Sequence, residues 1–263
     1  MDYDEYERQL FAGQAAGYER GFAGLTAHAT EALLDAAGVT KGTRLLDVGA
    51  GPGLQAAAAI ARGAQVIAVD AEPSMVQAAA RNVLGLDVRC AVLPELPLPD
   101  GAFDAVAGNF IINAVGDPAA TVAELRRVLR AGGRLALTCW RYPPPSPALT
   151  VISQAIEAAG VPPQDAPVPP FRAYSSPGPF AGLLREAGFT GVHAELLSLE
   201  HRVEPGQWWA AEALEGGPGG LADQDDATVA RAKSEFDRLV AQYATGDGQI
   251  ILPATAVLAS GTR

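Results

Sequence analysis

The chain has 263 residues, which is enough for one large α/β domain or for one domain with a small cap. Hydrophobic residues make up 49% of it, so it can build a sizeable core. The net charge of −11 argues against nucleic acid as a partner, because phosphate binding requires a basic surface. The N-terminus is acidic and no apolar run reaches the length of a membrane span, so we expect a cytoplasmic protein with no membrane contact.

The first forty residues are predicted to be helical. Tyrosine and phenylalanine recur at helical spacings over residues 2–22, and a clearer amphipathic helix covers residues 26–38. Residues 1–42 are therefore interpreted as a helical N-terminal segment.

From residue 43 onward, strands alternate with helices. The predicted strands cover residues 44–48, 65–69, 87–92, 103–107 and 134–140, and the predicted helices cover 54–62, 73–83 and 118–129. Such alternation predicts a parallel, doubly wound sheet with right-handed crossovers. We assign residues 43–141 to this core.

The composition changes after Trp140. Eleven of the twenty prolines lie between Pro143 and Pro179, around one predicted helix at 148–159. Residues 142–180 are therefore predicted to form a proline-rich cap insertion. Residues 181–263 return to the core, with strands at 192–203 and 250–259 and a helical insertion over 204–246.

A glycine-rich turn follows the first predicted strand. Asp47 precedes Gly49, Gly51 and Gly53, and a helix follows them. Glycine permits positive φ and close approach of a ligand to the backbone, and the helix start offers free N–H groups. The turn lacks the Gly-Lys-Ser/Thr of a P-loop, and its third glycine comes one position early for a dinucleotide fingerprint. Of the three cofactor classes that use such a turn, S-adenosylmethionine (SAM) is the remaining option.

Residues 46–53 resemble the first motif of class I SAM-dependent methyltransferases, and Asp70 matches the family's ribose-binding acid. The stretches at 96–104, 124–133 and 184–189 are similar to further family motifs, so the resemblance covers roughly residues 10–262. It points to small-molecule methyltransferases of the ubiquinone/menaquinone type. It implies a Rossmann-like, mostly parallel seven-stranded sheet with an antiparallel last strand, and an N-terminal segment that covers the SAM cofactor.

The resemblance also implies a set of site residues. The expected cofactor-binding residues are Tyr18, Asp47, Gly49, Ala50, Gly51, Gly53, Asp70, Ala71, Met75, Val92, Leu93, Asn109 and Phe110. Val92 stands where the family often has an adenine-binding Asp, so we expect weaker discrimination of adenine. Asn113, Trp140 and Trp208 are expected to line the acceptor pocket.

A general base is harder to assign. His28, Tyr18 and Asn113 are the candidates, although His28 can also be a surface residue and Tyr18 a packed amphipathic one. No metal-ligand cluster is visible, and the Asn-Pro-Pro-Tyr motif of enzymes that methylate planar amide or base nitrogens is absent.

The predicted function is methyl transfer to an O, N or C atom of a small metabolite. The composition favours secondary metabolism and natural-product intermediates, and a homodimer is compatible with the sequence. The alternatives are a SAM-binding cyclase or decarboxylase and a non-catalytic SAM-binding partner.

Overall fold

The computed structural model describes residues 2–163, 166–214, 221 and 224–263. Its helices are α1 (Tyr3–Phe11), α2 (Ala15–Arg20), α3 (Phe22–Ala27), α4 (Thr30–Ala36), α5 (Leu54–Ala61), α6 (Pro73–Asn82), α7 (Pro118–Val128), α8 (Pro147–Ala158), α9 (Pro177–Glu186), α10 (Pro205–Trp209) and α11 (Asp226–Val240). Its strands are β1 (Arg44–Val48), β2 (Gln65–Asp70), β3 (Asp87–Cys90), β4 (Phe103–Gly108), β5 (Leu129–Trp140), β6 (Thr190–Val203) and β7 (Ile250–Thr262). Part of the predicted insertion, residues 215–220, lies outside the described residues.

The strands form one seven-stranded sheet in the order β3-β2-β1-β4-β5-β7-β6. Strands β1 to β5 pair in parallel, whereas β7 runs antiparallel to both β5 and β6. The predicted fold class is therefore confirmed. The chain leaves β1 toward β2 on one side and returns to β4 on the other, and such a switch point opens a crevice at the carboxyl ends of the strands.

Local chemistry explains where the core elements begin. Strand β1 is buried from Leu45 to Val48, as expected for a parallel strand covered on both faces. Proline occupies the first turn of α6 and α7, where its missing N–H costs nothing. The preceding Glu72 and Asp117 accept backbone N–H bonds from these first turns, so each helix is capped by its own side chain.

The structure corrects two predicted boundaries. The single helix expected at 26–38 is two helices, α3 and α4, with a tight turn at His28 and Ala29. The Thr26 hydroxyl lies within hydrogen-bond distance of two preceding carbonyls, and such back-bonding competes with the helical ladder. Strand β5 begins at Leu129 rather than Arg134, because Leu129 pairs with β4 before a shift in register.

Helices α8, α10 and α11 form a second layer beside the ends of β6 and β7. Trp208, Trp209, Phe236 and Leu252 are buried in the cluster that joins them. Within the described part of the chain, no helix combines the length and the hydrophobicity needed to cross a membrane.

Candidate functional site

The turn after β1 can be built only with glycine at its three key positions. Gly49, Gly51 and Gly53 have φ angles of 69°, 52° and 92°, which strain any residue that carries a Cβ. A Cβ on Gly49 would lie 2.9 Å from the Cδ1 atom of Ile111, and one on Gly53 would lie 3.0 Å from Cγ2 of Val83. The turn therefore presents bare backbone to the crevice, with close packing at Gly49 and Gly53.

Asp70 ends β2 and holds this turn. Its Oδ2 accepts the backbone N–H of Gly51 at 2.8 Å, and its Oδ1 accepts that of Glu72 at 2.9 Å. Burial raises the pKa of Asp70, and the two N–H bonds oppose the shift. A carboxylate fixed at the end of the second strand is suited to accept hydrogen bonds from ribose hydroxyls.

A cavity of about 220 Å³ opens at the carboxyl ends of β1, β2, β4 and β5. Ten of the predicted cofactor-binding residues line it: Tyr18, Gly49, Gly51, Asp70, Ala71, Met75, Val92, Leu93, Asn109 and Phe110. The predicted acceptor residues Asn113 and Trp140 line the same cavity. Asp47, Ala50 and Gly53 are not among the residues that line it, and they belong to the strand and the turn behind its wall.

Asp47 is buried behind the glycine turn, with only 1% of its surface exposed. The side-chain amide of Gln55 donates to its Oδ1 at 2.6 Å and to the carbonyl of Ala107 at 3.2 Å. Among the described residues, Oδ2 has no hydrogen-bond partner. Burial and the nearby charge of Asp70 raise the pKa of Asp47 to about 7.

The end of β4 forms a rigid aromatic wall. Phe110 has a φ of 58°, the left-handed region that non-glycine residues rarely adopt. Its ring stacks on Trp140 with centroids 3.8 Å apart. Its backbone N–H donates to the hydroxyl of Thr138 at 2.7 Å, and that hydroxyl donates to Oδ1 of Asn109 at 2.8 Å. Backbone strain of this kind persists only where the surroundings hold it, and it concentrates at functional sites.

The N-terminal helices cover the cavity through an aromatic cluster. The Tyr18 ring lies 6.2 Å from that of Phe11 and 6.4 Å from that of Phe22. The Tyr18 hydroxyl lies 3.3 Å from that of Thr26, and burial raises the pKa of Tyr18 to about 12. At neutral pH this phenol keeps its proton, so Tyr18 is better suited to packing and hydrogen bonding than to serving as a base.

Glu7 is a site residue that the sequence analysis missed. It lies on α1 and lines the cavity, where burial raises its pKa to about 7, contact with the Tyr3 hydroxyl opposes the shift and the charge of Asp4 adds to it. The Tyr3 hydroxyl donates to the carbonyl of Asn113 at 2.5 Å. Oδ1 of Asn113 in turn accepts the backbone N–H of Trp140 at 3.2 Å. Glu7 therefore lies at the aromatic end of the cavity.

A helical spacing could have indicated Glu7. Tyr3 and Glu7 are four residues apart, which places them on the same face of a helix. The docking of α1 decides which of its faces lies toward the crevice. This orientation cannot be predicted from the sequence of α1 alone.

Two further predicted site residues, a candidate base and a candidate acceptor residue, also lie outside the cavity. Nε2 of His28 is 3.3 Å from Nδ1 of His201 on β6. Trp208 is 1% exposed, with its ring 4.8 Å from that of His201 and stacked on Phe22 at 6.0 Å. Trp208 lines a second cavity, which lies next to the first.

The residues of the first cavity fit a SAM molecule. The glycine turn offers bare backbone, Asp70 offers a fixed acceptor, and the side chains of Ala71, Met75 and Val92 form an apolar surface for a flat base. The glycine turn and Asp70 lie at one end of the cavity, and the aromatic wall of Phe110 and Trp140 lies at the other.

Part of the chain is similar to known methyltransferases. Residues 46–137 match the methyltransferase domain family. The ubiquinone/menaquinone biosynthesis C-methyltransferase UbiE of Methylobacterium nodulans is 36% identical over 115 residues, which cover 39% of this chain and 45% of that protein. The chain thus spans less than half the length of the curated relatives it matches.

Solved structures share the fold. The YcgJ protein of Bacillus subtilis superposes with a TM-score of 0.55 at 18% identity, covering 90% of this chain and 98% of that one. Phosphoethanolamine N-methyltransferase 2 of Haemonchus contortus, solved with phosphomonomethylethanolamine and S-adenosylhomocysteine, gives 0.52 at 18% identity, covering 88% and 52%. Residues 46–137 are thus similar to a methyltransferase domain, and the chain shares its fold with these solved structures.

Proposed function

We propose that the protein transfers a methyl group from SAM to an O, N or C atom of a small metabolite. One observation carries the proposal: a single cavity joins the glycine turn and Asp70 to the aromatic wall of Phe110 and Trp140. When bound, SAM supplies an electrophilic methyl group on a sulfonium. The first end of the cavity is suited to the nucleoside, and the second to a partly apolar acceptor.

The chain's contribution is mainly alignment, because an in-line displacement is accelerated when the reacting groups are held in position. Asn109 is fixed on both sides, since its amide nitrogen donates to the carbonyl of Thr26 at 2.9 Å and its oxygen accepts from Thr138. Phe110 and Trp140 present a flat face on which a planar or apolar acceptor can stack.

We assign Glu7 as the group that accepts a proton from an O–H or N–H acceptor. The other carboxylates that line the cavity accept backbone N–H bonds: Asp4 from Gly116, Asp70 from Gly51 and Glu72 from Ser74. Oxygens of these three carboxylates are therefore already engaged by the backbone. Glu7, with a pKa near 7, matches the requirement that a general base titrate close to the working pH.

The test combines cofactor binding with product mass. The purified chain is titrated with S-adenosylhomocysteine by calorimetry and is then incubated with SAM and a panel of phenols, amines and carboxylic acids. Methyl transfer predicts release of S-adenosylhomocysteine and a product heavier by one methylene unit. Glu7→Gln should lower turnover at pH 8 by roughly the 10²-fold or more expected for loss of a general base, with S-adenosylhomocysteine affinity unchanged.

Other outcomes would overturn the proposal. A product formed without release of S-adenosylhomocysteine would favour the cyclase or decarboxylase class. Binding without turnover of any compound in the panel would favour a non-catalytic SAM-binding partner. The cytoplasmic location, the role in secondary metabolism, the homodimer and the division into an N-terminal cover, a core and a cap stay predictions.

A further inference from the structure

A second cavity of about 250 Å³ lies on the other side of the aromatic cluster. Its walls come from the N-terminal helices, from α8 and from the turn that follows α10. It shares Phe11, Tyr18 and Phe22 with the first cavity. Leu149, Ile152, Trp208 and Glu212 also line it.

The ring of Phe22 separates the two cavities. It meets Trp140 of the first cavity edge-on with centroids 6.3 Å apart, and it stacks on Trp208 of the second at 6.0 Å. The two cavities are therefore one aromatic side chain apart. A molecule whose reacting end lies against Trp140 needs only a displacement of this ring to reach Trp208.

Glu212 is a carboxylate that lines the second cavity. It lies on the helical turn Ala210–Leu214, and it accepts the backbone N–H of Phe22. A Cβ on Gly21 would overlap its Oε1, so the absence of a side chain at that position makes room for the carboxylate. Burial raises the pKa of Glu212 to about 7. Among the described residues that line this cavity, none is basic.

A buried carboxylate without a basic partner is costly, because it has left water without gaining an opposite charge. A cation that enters the cavity would remove this cost, and it would lie beside the rings of Phe22 and Trp208, which line the same cavity. The apolar side chains of Leu149 and Ile152 would contact the hydrocarbon attached to that cation. The chemistry of the walls thus matches an amine with an apolar body.

We propose that the second cavity binds the far end of the methyl acceptor, with an ammonium group on Glu212 and an apolar body among Leu149, Ile152 and Trp208. The inference rests on the proposed methyl transfer and specifies its substrate class: an amphipathic amine whose other end reaches the wall of Phe110 and Trp140. The first cavity then selects the cofactor and the second selects the acceptor.

Tryptophan fluorescence and calorimetry are used to measure the binding of n-hexylamine, n-hexanol and hexanoate to the full chain. The chain is first saturated with S-adenosylhomocysteine. We expect the amine to bind at least tenfold more tightly than the alcohol or the acid. Glu212→Gln should weaken amine binding about tenfold and leave S-adenosylhomocysteine affinity unchanged. Glu157→Gln, at an exposed carboxylate on α8, is the matched control and should change neither.

A second variant tests the place of binding. Ile152→Trp fills the cavity and should abolish amine binding, again with S-adenosylhomocysteine affinity retained as evidence of folding. Equal amine affinity in the wild type, Glu212→Gln and Ile152→Trp would overturn the inference. Amine binding that depends on Glu212 in a protein that methylates no compound of the panel would leave the second site standing and refute the proposed methyl transfer instead.

Discussion

Substitution of Gly53 by alanine tests why the turn ends in glycine. Gly53 precedes α5 with a φ of 92°, and its Cα faces α6. An added methyl group would lie 3.0 Å from Cγ2 of Val83 and 3.3 Å from both Cα and Cβ of Ala79. The substitution thus imposes two separate penalties, one from the backbone conformation and one from crowding between α5 and α6.

Gly160 allows the two penalties to be separated. Its φ is 91°, and a Cβ there would meet nothing within 4 Å. Gly160→Ala should therefore cost only the left-handed strain, about 1–2 kcal/mol. Gly53→Ala should cost about 1–3 kcal/mol more, the usual range for overpacking a well-packed site. The entropy that alanine removes from the unfolded chain is the same in both variants and cancels in the comparison.

Urea denaturation of both variants gives the difference directly. The double variant Gly53→Ala with Val83→Ala should recover the part of the penalty due to Val83, whereas the contact with the backbone of Ala79 remains. Equal destabilisation by Gly53→Ala and Gly160→Ala would show that crowding between α5 and α6 adds no penalty at position 53. If the double-variant cycle shows no coupling between the two positions, the share of the Gly53→Ala penalty assigned to contact with Val83 is refuted.

Three further substitutions test the charges of the site and its surroundings. Asp70→Asn leaves one of the two backbone N–H groups on its carboxylate without an acceptor, so S-adenosylhomocysteine binding should weaken about tenfold or more by calorimetry, and unchanged affinity would count against the assignment. Asp47 has a folded pKa of about 7 against about 4 when unfolded, so the wild type should lose stability as the pH rises from 4 to 7. The stability of Asp47→Asn should not fall in this way. The change in the free energy of unfolding between pH 4 and 8, measured by urea melts, should therefore differ between the wild type and the variant by up to about 4 kcal/mol. Burial and nearby His28 lower the pKa of His201 to about 4, so the wild type should lose stability as the pH falls from about 6.5 to 4, whereas melts of His201→Phe should be flatter over that range.

The parts of the site that were predictable from the sequence depend on neighbours along the chain. The glycine turn and Asp70 each terminate a strand, and a parallel sheet brings the ends of adjacent strands to one edge. Their proximity therefore follows from the pairing of β1 with β2. The starts of α6 at Pro73 and of α7 at Pro118 were predictable because they too depend on neighbours along the chain.

The parts that were missed depend on partners far away in the chain. His28 meets His201, 173 positions later, and this pairing removes it from the cavity. The early start of β5 at Leu129 depends on pairing with Phe103 across the sheet. The position of Glu7 in the cavity depends on how α1 packs over the crevice, which the sequence of α1 does not determine. Periodicity describes one element at a time, so it does not report which face another element will cover.

The amide of Asn109 joins the N-terminal helices to the end of β4. Its nitrogen donates to the carbonyl of Thr26, and its oxygen accepts from Thr138, whose hydroxyl also accepts the backbone N–H of the strained Phe110. One side chain therefore links α3, β4 and β5, so a substitution in any of these three elements could be felt at the aromatic wall without touching either ring.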